Sequence, residues 1–385
     1  MTDDLPNPAL LPAGLRDLLP PDAETEASAV ESLMGIFAAH GYQRVKPPLL
    51  EFEDSLLAGS GAAVADQTFR LMDPDSHRMM GLRADTTPQV ARIATTRLAD
   101  APRPLRLSYA GQCLRVSASQ IAPDRQLAQA GIELIGVDSP VADAEIVLVG
   151  AEALASVGLT RVSFDLTVPT LAPTLLDEAG IQGPTRSALS RALDRKDAAA
   201  VTRHGGAIAG TLTALLLAAG PADPALDALL AADLPPAAQA LAARLEATIA
   251  AIRARAPALR LTLDPVEFRG FRYHTGVSVT VYAPGRHEEL GRGGRYICGE
   301  DEPATGLTLY PDAVLRAAPP RQARLRLYVP DGADPDQFES AALRDQGFAT
   351  VAGLAPHPNE PAEARRLGCT HILRDGEPVP LSKLE

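Results

Sequence analysis

Two long extended runs lie back to back in this chain. They are "LRLSYAGQCLRVS" at 105–117 and "RQLAQAGIELIGV" at 125–137, joined by a short polar loop. A connection that short favours an antiparallel pair, because parallel strands need a crossover of about a dozen residues or more. On the second run Gln129, Gly131, Glu133 and Ile135 recur at period two and share one face. Gln129 and Glu133 project the same way across a residue with no side chain, which reads as a polar floor with space above it. A Glu on an otherwise apolar strand also needs a partner once buried.

The rest of the chain supplies helices and more strands around that pair. A helix is expected from about residue 22, with Asp22 as its cap, Val30, Leu33, Met34 and Phe37 at helical spacing, and Gly41 as its stop. "YQRVKPPLLEF" reads as an extended edge broken by Pro47 and Pro48. "RLMDPDSHRMMGLRADTT" reads as a hairpin turning at Asp73–Ser76. Thr87 then caps a helix with Pro88 at its first position, and Val90, Ile93, Ala94 and Leu98 form its buried face. "VADAEIVLVGAEALASVG" is helical and "RVSFDLTV" is a strand.

Residues from about 170 to 258 are rich in alanine and leucine and carry no strand signal, so they read as a helical insertion. Strands return in "RLTLDPVEFRG" and "GVSVTVYAPG", and "GRGGRY" (291–296) reads as a turn. The expected organisation is a core over 1–320 and a small α/β unit over 321–385, of strand, helix 335–346, strand, helix 360–367 and strand. Hairpins and long excursions, not regular βαβ units, link the core strands. The fold class is therefore α+β, an antiparallel sheet with helices on one side.

Composition narrows the function. A net charge of -12 argues against a dedicated nucleic-acid binder, which shows a strongly basic face. The three cysteines, Cys113, Cys298 and Cys369, have no paired spacing, so neither disulfides nor a structural zinc is expected. The start "MTDDLPNPALLPAG" lacks the pattern of a signal peptide, and tracts such as "GTLTALLLAAG" are too short to span a bilayer. The expectation is a soluble cytoplasmic protein with no cofactor, no metal, no membrane and no nucleic acid as partner.

Four segments concentrate polar residues: "LRADTTPQ" with Asp85 and Thr87, Arg115 alone within a strand, the Gln129/Glu133 face, and "FRGFRYHTG" followed by "GRGGRY". Each has a plain structural reading, such as helix capping for Asp85 and Thr87 or a surface ion pair for Arg115. Together they offer what a zwitterionic amino acid needs: acid and hydroxyl groups for its ammonium and an arginine for its carboxylate. Glu133 and Tyr273 add acceptors for a side chain with N–H donors. A Walker loop, G-x-G-x-x-G after a strand, G-x-S-x-G and H-E-x-x-H are all missing from the sequence.

These segments resemble the catalytic core of class II aminoacyl-tRNA synthetases, specifically the histidyl branch. The matching stretches are "LPAGLRDLLP", "VKPPLLE" as motif 1, "LRADTTPQVAR", "SYAGQCLRV…RQLAQAGIELIG" as motif 2, "EFRGFRYHTG" as the histidine signature, and "GRGGRY". The resemblance covers about residues 12–316 and implies a six-to-seven-stranded antiparallel sheet flanked by helices, with a degenerate anticodon-domain-like tail. The departures from that branch point elsewhere. Ser117 replaces the motif 2 acid, Arg272 and His274 replace an Asp and a Tyr of the signature, and Asp312 and Ala313 stand where motif 3 carries a phosphate-binding arginine.

That pattern, with "LRADTTPQVARIA" and "DRKDAAAV", is similar to the family of ATP phosphoribosyltransferase regulatory subunits, although Ala84 replaces that family's usual proline. The resemblance implies a non-catalytic subunit in the first step of histidine biosynthesis, partnering a short catalytic subunit and conferring feedback by histidine. It implies a histidine site in which Glu133 and Tyr273 meet the imidazole, Asp85, Thr87 and Gln129 the ammonium, and Arg269 or Arg115 the carboxylate, with His274 beside them. It also implies a homodimer through 42–52 and the preceding helix, within a hetero-oligomer. The competing readings are a divergent histidyl-tRNA synthetase and an accessory protein unrelated to histidine.

Overall fold

A computed structural model describes residues 9–117, 124–268, 273–320, 323–334 and 338–384. The chain divides into two compact units, Met1–Pro319 and Pro320–Glu385. Strands of the first unit, numbered along the chain, are β1 (Gln43–Arg44), β2 (Leu50–Phe52), β3 (Arg70–Met72), β4 (Met79–Leu82), β5 (Leu105–Leu114) and β6 (Gln126–Ile135). They continue with β7 (Ser163–Thr167), β8 (Gly220–Pro221), β9 (Arg260–Leu263), β10 (His274–Tyr282), β11 (Glu289–Cys298) and β12 (Glu302–Leu309).

Nine of them form one sheet in the order β1-β5-β6-β12-β11-β10-β7-β9-β8. The inner run from β5 to β7 is antiparallel throughout, as expected. Two outer pairings are parallel, β1 with β5 and β7 with β9, so the sheet is mixed. Each parallel pair is separated in sequence by long excursions, which is what a parallel connection requires. β2, β4 and β3 make a separate three-stranded sheet that contains the expected hairpin at Asp73–Ser76.

Period-two alternation sorts the side chains. Ala130 and Ile132 of β6, and Leu307 and Leu309 of β12, enter the main core with Leu33, Phe37, Ile146 and Leu154 of the helices Asp22–Ala39 and Pro140–Ser156. The other face carries Leu107, Tyr109 and Tyr296 under Val90 and Ala94 of the helix Thr87–Thr96. That face holds the polar set.

Four local expectations change. Asp22 is the first residue of its helix, not its cap. Thr87 likewise lies inside its helix, and its hydroxyl bonds to Glu133 instead of a helix amide. "GRGGRY" is not a turn but the middle of β11, fully paired with β12. Its glycines permit close approach: a Cβ on Gly291 would lie 2.5 Å from the Thr308 carbonyl oxygen. The helical stretch 170–258 also contains one short strand, β8, paired with β9.

The second unit is a four-stranded sheet of β13 (Arg326–Val329), β14 (Ala349–Ala352), β15 (His371–Arg374) and β16 (Glu377–Pro380), in the order β14-β13-β15-β16. β16 was not anticipated. It returns through Asp375 and Gly376, with φ of 50° and 80°, the left-handed pair that a two-residue hairpin demands. No helix among the described residues is long and apolar enough to cross a membrane.

Candidate ligand-binding site

Glu133 organises the site. It lies in the middle of β6, 1% exposed, and it contacts hydroxyls from three other elements. Thr87 donates to its Oε1 at 3.0 Å, Tyr109 to the same oxygen at 3.4 Å, and Tyr296 to Oε2 at 2.9 Å. Tyr109 also bonds Thr308 at 2.7 Å. The carboxyl rests over Gly306 of β12, and any Cβ there would collide with it. Burial, opposed by those hydrogen bonds, lifts the Glu133 carboxyl to about 8. The same burial and the nearby carboxyl keep the phenols of Tyr109 and Tyr296 well above the usual range.

A second chain of bonds runs beside the first. Gln129 accepts from the Thr86 amide at 3.0 Å and donates to Asp85 Oδ1 at 3.3 Å; that oxygen also accepts from the Thr87 amide at 3.2 Å. Asp85 lies one residue before the N-cap position, Thr86, and holds the first helical amide while facing the site, so the local structural and ligand readings of this residue are compatible. Cys113 donates to Gln129 at 3.2 Å. Burial pushes its thiol up to about 12, which leaves it inert as a nucleophile.

The structure thus brings Asp85, Thr87, Gln129 and Glu133 into one network. Tyr273 joins through an edge-on contact with Tyr296, ring centroids 5.9 Å apart, and stacks on His274 at 4.5 Å. Burial, with Arg292 nearby, lowers His274 to about 3, so its imidazole is neutral. Arg115 stands apart from the network. It follows the end of β5, and its buried Nε has no hydrogen-bond partner among the described residues. Arg269 and Arg272 lie outside the described residues.

The space expected above Gly131 does not exist. The ring of Tyr109, directly opposite on β5, covers it, and a Cβ on Gly131 would meet that ring at 2.5 Å. The polar floor is consequently Tyr109 and Glu133 together. Tyr109, Tyr296 and Thr308 were not singled out from the sequence. For Tyr109 a signal existed, since it alternates with Leu107 on the strand paired with Gln129 and Glu133. Tyr296 was hidden by the glycines around it. Arg83 proves structural: it bonds the carbonyls of Gln112 at 2.8 Å and Pro47 at 3.2 Å.

Near the far end of β6 the chemistry is different. A cavity of about 50 Å³ is lined by Arg16, Glu26, Gln112, Asp124 and Asp312, among others. Asp312 accepts from the Ala128 amide at 3.0 Å, and Arg16 stands 4.0 Å from its other oxygen. Burial, together with Asp312, raises the Glu26 carboxyl. Among the described residues its charged lining is three carboxyl groups and one arginine. Among the described residues, no group of His, Cys, Asp or Glu could hold a metal ion.

Comparison with known proteins gives the family. The histidyl-tRNA synthetase family matches residues 14–314. A protein of Gluconobacter oxydans called ATP phosphoribosyltransferase regulatory subunit is 56% identical, over 98% of this chain and 99% of its own. One of the same name from Paramagnetospirillum magneticum is 57% identical, over 95% and 96%. Among solved structures, an ATP phosphoribosyltransferase regulatory subunit/histidyl-tRNA synthetase of Bacillus halodurans superposes with a TM-score of 0.78 at 23% identity, covering 92% of this chain and 96% of that one. Histidyl-tRNA synthetase of Nostoc gives 0.77 at 18%, covering 95% and 91%. At those identities the two structures speak to fold alone.

Proposed function

Because this chain belongs to the family of ATP phosphoribosyltransferase regulatory subunits, built on the histidyl-tRNA synthetase fold, we propose that it binds histidine at the Glu133 site and passes that signal to a catalytic subunit. Its role is regulatory, not catalytic. The observation that carries the reading is a contrast between two neighbouring places. Around Glu133 an acid, an amide and hydroxyls are assembled and mutually bonded. At residues 312–313, where the resemblance to synthetases calls for a glutamate followed by a phosphate-binding arginine, the chain has Asp312 and Ala313.

In this reading the imidazole N–H donates to Glu133, the ammonium meets Asp85, Thr87 and Gln129, and Arg115 or Arg269 takes the carboxylate. Tyr273 and His274 close the apolar side. A ligand bound without reaction acts only through different affinities for two conformations. Histidine therefore favours a less active state of the complex, in the first step of histidine biosynthesis. A homodimer through 42–52 and the preceding helix completes the proposed assembly.

The test uses the isolated chain. Titration calorimetry is expected to show histidine binding, while ATP–pyrophosphate exchange with histidine stays at background. Robust exchange would restore the synthetase reading. Absence of binding, to the chain alone and to its complex with the catalytic subunit, would favour an accessory protein unrelated to histidine.

A further inference from the structure

Among the described residues, six helix ends close with the same pair of bonds. The amide two places past the last helical residue reaches back three positions, and the next amide reaches back five. That closure needs a left-handed residue. In five of the six it is glycine, at Gly41, Gly158, Gly180, Gly347 and Gly368, with φ from 66° to 96°. The sixth closes the helix Gly183–Asp194, and it is Lys196, with φ of 55°. Its amide donates to Leu193 at 3.1 Å, and that of Asp197 to Ala192 at 2.9 Å. The other non-glycine residues with positive φ among the described residues, His77 and Asp375, sit in hairpin turns and belong to types that visit this region readily. Lysine does not, because its Cβ crowds the following carbonyl oxygen. Strain held at such a place points to a role for the side chain.

The Lys196 side chain reaches the turn that follows β9. Its Nζ lies 2.5 Å from Asp264 Oδ2 and 3.9 Å from Glu267 Oε2. The other oxygen of Asp264 accepts from the Val266 amide at 3.2 Å. The Glu267 carbonyl accepts from the Thr167 hydroxyl at 2.8 Å, and Thr167 is also the β7 residue paired with Ser278 of β10. The chain thus leaves Thr167 at Glu267 and returns to it at Ser278. Between those two points lie Tyr273 and His274 of the ligand site.

We propose that Lys196 is a positioning residue for that site. Its ammonium pins Asp264 and Glu267, fixes the turn between them, and so sets where Tyr273 and His274 enter the ligand network. The ligand half of this inference rests on the histidine reading above. The side chains of Lys196 and Asp264 are 37% and 25% exposed, and ion pairs open to solvent are weak, so the effect is local to the turn.

The test compares K196G and K196R in the full chain. Glycine relieves the backbone and removes the ammonium, whereas arginine keeps a cation on the same strained backbone. Hydrogen exchange reads the turn without any ligand. The amides of Val266 and Glu267 should exchange about 2- to 5-fold faster in K196G and at the native rate in K196R, the size expected for one exposed ion pair. The denaturant midpoint of K196G should not fall. Histidine affinity, by calorimetry, should drop by the same factor in K196G and return in K196R. A residue that only ended its helix would be matched or bettered by glycine on every readout. Unchanged exchange in K196G overturns the proposal. So does faster exchange with unchanged histidine affinity, or a loss that arginine does not restore. A native chain that binds no histidine, with exchange responding as expected, keeps the clamp on the turn and removes the histidine reading instead.

Discussion

Replacing Glu133 by glutamine is expected to weaken histidine binding about 10- to 150-fold, the ~1.5–3 kcal/mol of a hydrogen bond to a charged group. Glutamine keeps the size of the side chain over Gly306; its oxygen can accept from one of Thr87 and Tyr296 while its NH2 donates to the hydroxyl oxygen of the other, so the fold survives. The pH dependence gives a second readout. With its carboxyl lifted to about 8 by burial, the empty site holds a proton at neutral pH. A ligand N–H that needs a carboxylate must displace that proton. Binding should tighten by up to about tenfold per unit between pH 7 and 8 and flatten above, and E133Q should lack the rise.

Stability moves the opposite way. The folded value of about 8 lies above the ordinary carboxylate value of 4.5, so between those two values the unfolded chain has shed a proton that the native chain keeps. The native chain loses up to ~1.4 kcal/mol per pH unit there, and E133Q does not. Equal histidine affinity for native chain and variant at pH 8 would remove Glu133 from the ligand site.

Asp143→Ala should destabilise the first unit by up to about 3 kcal/mol, because it removes the buried partner of Arg295 and leaves that arginine only the half-exposed Asp138 at 3.3 Å as a counter-charge. Asp143 and Arg295 are 2% and 5% exposed at their side chains and approach to 2.8 Å. Arg295 also donates to the carbonyls of Val137 at 3.0 Å and Ser139 at 3.3 Å, and Arg244 reaches Asp143 at 3.3 Å. The pair ties β11 to the helix Pro140–Ser156, directly behind the strand that presents Tyr296. Its loss should therefore loosen the ligand site as well. Denaturant melts of native and D143A protein measure the loss. Glu31→Ala, which breaks an exposed pair with Arg44, is the control and should leave the melt unchanged. A D143A curve superimposable on the native one would contradict the assigned role.

The part of the site that sequence made legible is the part governed by local periodicity. Gln129 and Glu133 share a face because strands alternate, and the apolar residues between them left no other orientation. Asp85 was visible as a cap; the cap position is Thr86, and Asp85 instead binds the Thr87 amide from one residue further out. Thr87 was misread for a physical reason. Its hydroxyl could accept from a helix amide or donate to an acceptor, and it donates to the buried carboxyl of Glu133, forty-six positions away. Tyr296 was missed because glycines mark turns in most sequences. In β11 they instead permit neighbouring backbone to approach closely, a requirement set by β12 and not by the strand itself. The parallel pairings of β1 and β9 are likewise tertiary, since neither short strand carries a signal of its direction.

This chain is expected to make a catalytic subunit responsive to histidine. The most direct measurement is the initial rate of phosphoribosyl-ATP formation by the purified catalytic subunit, with and without this chain, as histidine is titrated. The rate should rise when the chain is added and fall with histidine, by about 5- to 150-fold for a coupling of ~1–3 kcal/mol. By the same linkage, the substrates should weaken histidine binding. This chain alone should form no product. A rate that does not change on mixing, with or without histidine, would contradict the claim.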